Sequence, residues 1–149
     1  MAKIGIIVGS VYGNAQNVAD HADIYLSEQG HDVTVETDPD LGFLDEHDIQ
    51  FVITSTTGMG DVPPNLELFF ADAKDTMPMQ TGKKFAVAAL GDSSYCESYC
   101  GAGKQFFELF TELQAQPLLP LLEVDAMETF EPEKDVLLWL QANIEKFAA

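Results

Sequence analysis

Six consecutive residues, Ser10-Val11-Tyr12-Gly13-Asn14-Ala15, carry the groups in this chain best placed to do chemistry. They follow an apolar run, Ile4-Gly5-Ile6-Ile7-Val8, and open a helical pattern from about Asn14 to Gln29 that Gly30 stops. A strand, a turn rich in hydroxyl and glycine, and a helix start together form an anion-binding cup. The first amides of a helix lack intrahelical acceptors, and the helix dipole favours negative charge there. Ser10, Tyr12 and Asn14 are candidate side-chain donors. The turn has no lysine, so it is not the lysine-dependent phosphate loop of nucleotide hydrolases. It suits a terminal phosphate held by neutral groups. Each favourable interaction of an exposed charge with a helix end is worth roughly 0.3–1 kcal/mol, so several donors must act together.

Two further segments have the composition of binding loops. The first is Thr54-Ser55-Thr56-Thr57-Gly58-Met59-Gly60-Asp61-Val62-Pro63-Pro64-Asn65. Its glycines on either side of Met59 allow the backbone to approach a flat ligand, and Thr57 and Met59 can cover a ring. The second runs Gly91-Asp92-Ser93-Ser94-Tyr95-Cys96-Glu97-Ser98-Tyr99-Cys100-Gly101-Ala102-Gly103-Lys104. Tyrosines in a polar loop are poor core residues and good stacking platforms, worth about 0.5–1.5 kcal/mol per aromatic pair beyond area burial. A phosphate cup, a backbone able to bond a planar heterocycle and an aromatic to lie against it match the parts of FMN.

The elements that must position these loops alternate strand and helix. Strands are expected over about Lys3–Gly9, Asp32–Glu36, Phe51–Ser55, Lys84–Leu90 and Pro117–Val124, and four helices over about Asn14–Gln29, from Asn65 on, Gly103–Gln114 and Glu133–Phe147. The acidic stretch Asp38–Asp48 reads as a loop anchored by Phe43 and Leu44. Alternation implies an α/β fold, a doubly wound five-stranded parallel sheet with helices on both faces. The first, third and fourth strands are nearly all apolar and therefore central. Pro117 and Pro120 confine the fifth to an edge. The order 2-1-3-4-5, the flavodoxin-like order, satisfies these constraints, and it brings the three loops to one rim where the winding reverses. At 149 residues, positions 1–149 are expected to form a single domain.

Charge narrows the function. There are 25 acidic residues against 7 basic ones, all lysine, for a net charge of −18. This excludes nucleic acid and anionic membrane surfaces as partners and favours encounter with basic protein patches. Without arginine, a cysteine–arginine phosphatase and an arginine clamp for NADP are also excluded. Cys96 and Cys100 read as free thiols beside the pocket, not as a zinc or disulfide framework. His21, His31 and His47 show no metal spacing and read as solvated, and no residue reads as a nucleophile or general base. No apolar run is long enough to span a bilayer, and Met1-Ala2-Lys3-Ile4 leads straight into the first strand, so a cytoplasmic protein is expected.

Ser55-Thr56-Thr57-Gly58-Met59-Gly60-Asp61 with Pro63 and Asn65, and Leu90-Gly91-Asp92-Ser93-Ser94-Tyr95 running to Gly103-Lys104, resemble a short-chain flavodoxin. They are also similar to the FMN domains of diflavin reductases such as sulfite reductase. The resemblance covers essentially the whole chain. It implies FMN held noncovalently by a monomeric one-electron carrier that is not itself an enzyme. Its partners would be a basic-surfaced reductase, such as a ferredoxin/flavodoxin-NADP reductase, and electron-acceptor enzymes. It further implies that Ser10, Val11, Tyr12, Gly13, Asn14 and Ala15 bind the phosphate. Ser55, Thr56, Thr57, Gly58, Met59, Gly60, Leu90, Gly91 and Asp92 would line the flavin, with Tyr95 stacked on it and Tyr99 and Cys100 beside it. There are three departures. Tyr12 replaces the usual threonine or serine of the phosphate loop. Thr57 replaces a second stacking aromatic, which implies a more exposed ring and weaker binding. The third loop is one residue longer near Cys96–Ser98. A flavodoxin-like interaction module with weak or lost FMN binding and a flavin-dependent quinone reductase are the remaining alternatives. A phosphoacceptor receiver of the same strand order needs carboxylates where Ser10 and Ser55 stand.

Overall fold

A computed structural model describes residues 2–10, 13–55, 61–91, 100–126, 128–129 and 131–147. The chain runs β1 (Lys3–Gly9), α1 (Asn14–Glu28), β2 (Asp32–Glu36), α2 (Gly42–Glu46), β3 (Ile49–Thr54), α3 (Pro64–Thr76), β4 (Lys84–Gly91), α4 (Gly101–Glu112), β5 (Gln116–Pro117), β6 (Leu122–Asp125) and α5 (Pro132–Ala142), with a closing 3-10 turn at Ile144–Phe147. All pairings are parallel, in the order β2-β1-β3-β4-β5, and β6 also pairs with β4. The expected topology is therefore observed.

The pleat divides the core. Ile4, Ile6, Val8, Phe51, Ile53, Ala86 and Ala88 face α1 and α5, where Val18, Ala22, Leu26, Val136 and Leu140 are buried. Ile7, Val52, Phe85 and Val87 face the opposite way, onto Phe43 and Leu44 of α2, Leu66 and Phe69 of α3, and Phe106 and Phe110 of α4. Strands covered on both faces need apolar residues at successive positions, as β1, β3 and β4 have. Burying each of the valine, isoleucine and phenylalanine side chains contributes about 1.5–3 kcal/mol. Phe51 adds ring contacts to Trp139 and Phe147, both with centroids 5.8 Å away.

Three expectations need correction. The fifth strand is split into β5, paired with Lys84 and Phe85, and β6, paired with Ala88 through Gly91. Pro120 falls in the gap, where it has no N–H to donate to a ladder. The stretch 38–48 is not all loop, because α2 folds within it, giving five α-helices among the described residues instead of four. His47 is not solvated. The short helix turns it inward to 6% exposure, with Nδ1 2.8 Å from the Phe43 carbonyl and its ring 4.2 Å from the Phe43 ring. Phe43 and Leu44 do anchor the segment, both being buried.

Candidate functional site

Parallel register sets the rim. Gly9 lies opposite Thr54, and Thr54 opposite Ala89. The segments after β1, β3 and β4 therefore leave the sheet side by side, within about 10 Å at ordinary strand spacing. Ser55 fastens the first two together, its amide and its Oγ both donating to the Gly9 carbonyl at 2.8 and 3.2 Å.

The turn after β1 is closed by its own side chain. Ser10 Oγ accepts the Gly13 N–H at 2.9 Å, which leaves the serine O–H to donate outward. Gly13 then enters the left-handed region (φ +87°), where a side chain would be strained. Among the described residues no atom lies within 4 Å of where a Cβ at Gly13 would sit. The Gly13 carbonyl accepts the Asn17 amide at 3.0 Å and so begins α1. Among the described residues no side chain caps this helix, and its first turn contains no acidic residue, in a chain that carries 25 of them. Uncapped amides with open space before them fit an anion.

Of the residues singled out from sequence, Ser10, Gly13, Asn14, Ala15, Ser55, Leu90, Gly91 and Cys100 are described, and all belong to this rim or its support. Gly13 and Asn14 are exposed at the helix opening, whereas Ala15 turns its methyl into the core and can offer only its amide. Leu90 is likewise buried below the rim, and the Gly91 carbonyl accepts the Ala126 amide at 2.8 Å. Cys100 is fully buried, in a left-handed conformation (φ 53°), with Sγ 3.4 Å from the Ala89 carbonyl. What it presents toward the rim is backbone. Val11, Tyr12, Thr56, Thr57, Gly58, Met59, Gly60, Asp92, Tyr95 and Tyr99 lie outside the described residues.

Asn65 was missed as a functional candidate, although it stands in a motif quoted from the sequence. From the first turn of α3 its Oδ1 accepts the Ser10 N–H at 3.2 Å. Its Nδ2 donates to the carbonyls of Val8 at 2.7 Å and Thr37 at 2.8 Å. The only sequence signal was an asparagine just after Pro63-Pro64, where a helix cap would ordinarily be sought.

The flavodoxin family's sequence model matches residues 6–139. This chain belongs to the flavodoxin family. Flavodoxin YqcA of Escherichia coli is 42% identical over 145 residues, covering 95% of each chain. A cysteine-to-serine mutant of flavodoxin from Pseudomonas aeruginosa superimposes with a TM-score of 0.90 at 40% identity, covering 97% of each chain. The fold also matches a Fusobacterium nucleatum flavodoxin bound to flavin mononucleotide, with a TM-score of 0.79 at 14% identity over the full length of both. Flavodoxins are electron-transfer flavoproteins, and FMN is their cofactor. The residues present fit it. The first turn of α1 offers neutral donors and carries no carboxylate, and the β3 end of the flavodoxin rim is tied to it through Ser55.

Proposed function

We propose that this chain binds FMN and passes single electrons from a basic-surfaced reductase, of the ferredoxin/flavodoxin-NADP reductase kind, to acceptor enzymes in the cytoplasm. The observation that carries the reading is the start of α1 at the switch point between β1 and β3, with no acidic residue in its first turn and no capping side chain among the described residues. Ser10 O–H and the amides of Asn14 and Ala15 hold the phosphate, with the Gly13 N–H fixing the Ser10 side chain, while Ser55 and the loops beyond it hold the ring. Bound FMN supplies the one-electron chemistry. The chain's own residues orient it, and their acidic surroundings disfavour the negative charge that full reduction adds.

The test is a titration of folded apoprotein with FMN at micromolar concentration, followed by flavin fluorescence. Stoichiometric quenching is the expected outcome. An absence of uptake would refute the carrier and leave a protein-interaction module on this fold. Steady NADH oxidation without an added reductase would instead indicate a quinone-reductase type of flavoenzyme.

A further inference from the structure

We infer that Asn65 is the positioning residue that aligns the phosphate cup, and that it acts on the phosphate end of the cofactor and not on the ring. The assignment rests on the FMN reading above.

A continuous series of bonds leads from α3 to the opening of α1. Asn65 Oδ1 accepts the Ser10 N–H, Ser10 Oγ accepts the Gly13 N–H, and the Gly13 carbonyl accepts the Asn17 amide. The side-chain amide cannot be turned over. Both of its hydrogens are committed, to the Val8 and Thr37 carbonyls, and reversal would set a donor against the Ser10 N–H. One half-buried group thus ties the end of β1, the segment after β2 and the first turn of α3. Pro63 stands at the cap position of α3 and Pro64 begins it, so two of the donors that a helix start leaves unmet are absent and Asn65 serves other partners.

Alignment matters more here than in a site with cations. The turn has no lysine and the chain no arginine. Affinity for the phosphate therefore depends on dipoles held in one orientation before the ligand arrives. A Ser10 N–H without its acceptor lets the Ser10 side chain and Gly13, and with them the α1 amides, drift out of register with the phosphate. Ser55 holds the carbonyl of the same Gly9–Ser10 peptide with two bonds of its own, so the end of β3 stays fastened to β1 when Asn65 is lost, and what the loss frees is the Ser10 N–H and the turn beyond it.

The experiment compares FMN with riboflavin, which has the ring and ribityl chain but no phosphate, on apoprotein of wild type, Asn65→Ala and Asn65→Ser. Both replacements are neutral, so no new charge enters the cup, and serine suits a first helical turn should alanine fail to fold. FMN affinity is expected to fall about tenfold or more in the variants, as for loss of an aligned hydrogen-bond set, while riboflavin affinity changes by less than about twofold. A folded variant, judged by a cooperative thermal transition, that loses both flavins equally, or neither, overturns the assignment. Folded wild-type protein that takes up no FMN overturns the cofactor reading and this inference with it.

Discussion

His31 accepts the Ala2 N–H through Nδ1 at 3.1 Å, so this imidazole must be neutral at that nitrogen. Burial first, and the positive amino terminus second, hold its pKa below the ordinary value of 6.5. The folded state therefore binds fewer protons than the unfolded chain as pH falls through 6.5, and stability present above that pH is lost below it. His31→Asn keeps an acceptor at the same reach and removes the titration. Thermal midpoints at pH 7.5 and 5.5 are expected to show wild type losing ground to this variant at the lower pH. An equal change in both proteins would dismiss the effect. Lys83 shows the same reliance on backbone partners, its Nζ donating to the carbonyls of Leu44, Asp45 and His47 at 2.8, 3.0 and 2.7 Å. It neutralises the carboxyl end of α2 where no side-chain carboxylate is used.

Helix α4 reaches the rim only because it lies unusually close to β4. A Cβ at Gly103 would stand 2.2 Å from Ala89 Cβ and 3.1 Å from Ala89 Cα. Neither atom is the end of a flexible chain, so the helix itself must move. Gly103→Ala is expected to cost about 1–3 kcal/mol, as overpacked cores do, despite the better helix propensity of alanine. Chemical denaturation of the apoprotein measures this, and an unchanged or raised midpoint would contradict the contact. The same displacement would move Cys100, whose left-handed backbone joins the segment after β4 to α4. Weaker FMN binding is expected to accompany the stability loss. At the far edge, the division of β5 from β6 lets β6 pair with the part of β4 that ends at the rim, Ala88 to Gly91.

The whole molecule carries a net charge of −18. The ion pairs Lys104–Glu123 at 3.5 Å and Lys134–Glu131 at 3.1 Å are exposed and offset little of that field. A field of this size acts on encounter more than on the bound complex. The association rate with a basic reductase is expected to fall by about tenfold or more between 0.01 M and 0.15 M salt, as the screening length shortens from roughly 30 Å to 8 Å. Stopped-flow mixing of the reduced reductase with the flavin-loaded protein measures it, and a flat salt profile would rule out electrostatic docking. Among the described residues no helix is long and apolar enough to cross a membrane, and no cluster of side chains is suited to a metal.

Strand order, the central place of β1, β3 and β4 and the start of α1 just after Gly13 were legible in the sequence. They depend on local apolar runs, prolines and glycines whose backbone preferences act within a few residues of themselves. The inward turn of His47, the burial of Cys100 and the division of the last strand depend on which segments come to lie against each other. The bond from Asn65 to Ser10, 55 residues apart, is the clearest case. An asparagine's hydrogen-bond capacity is a property of its type, but its partners exist only once β1, the end of β2 and α3 have been packed around it.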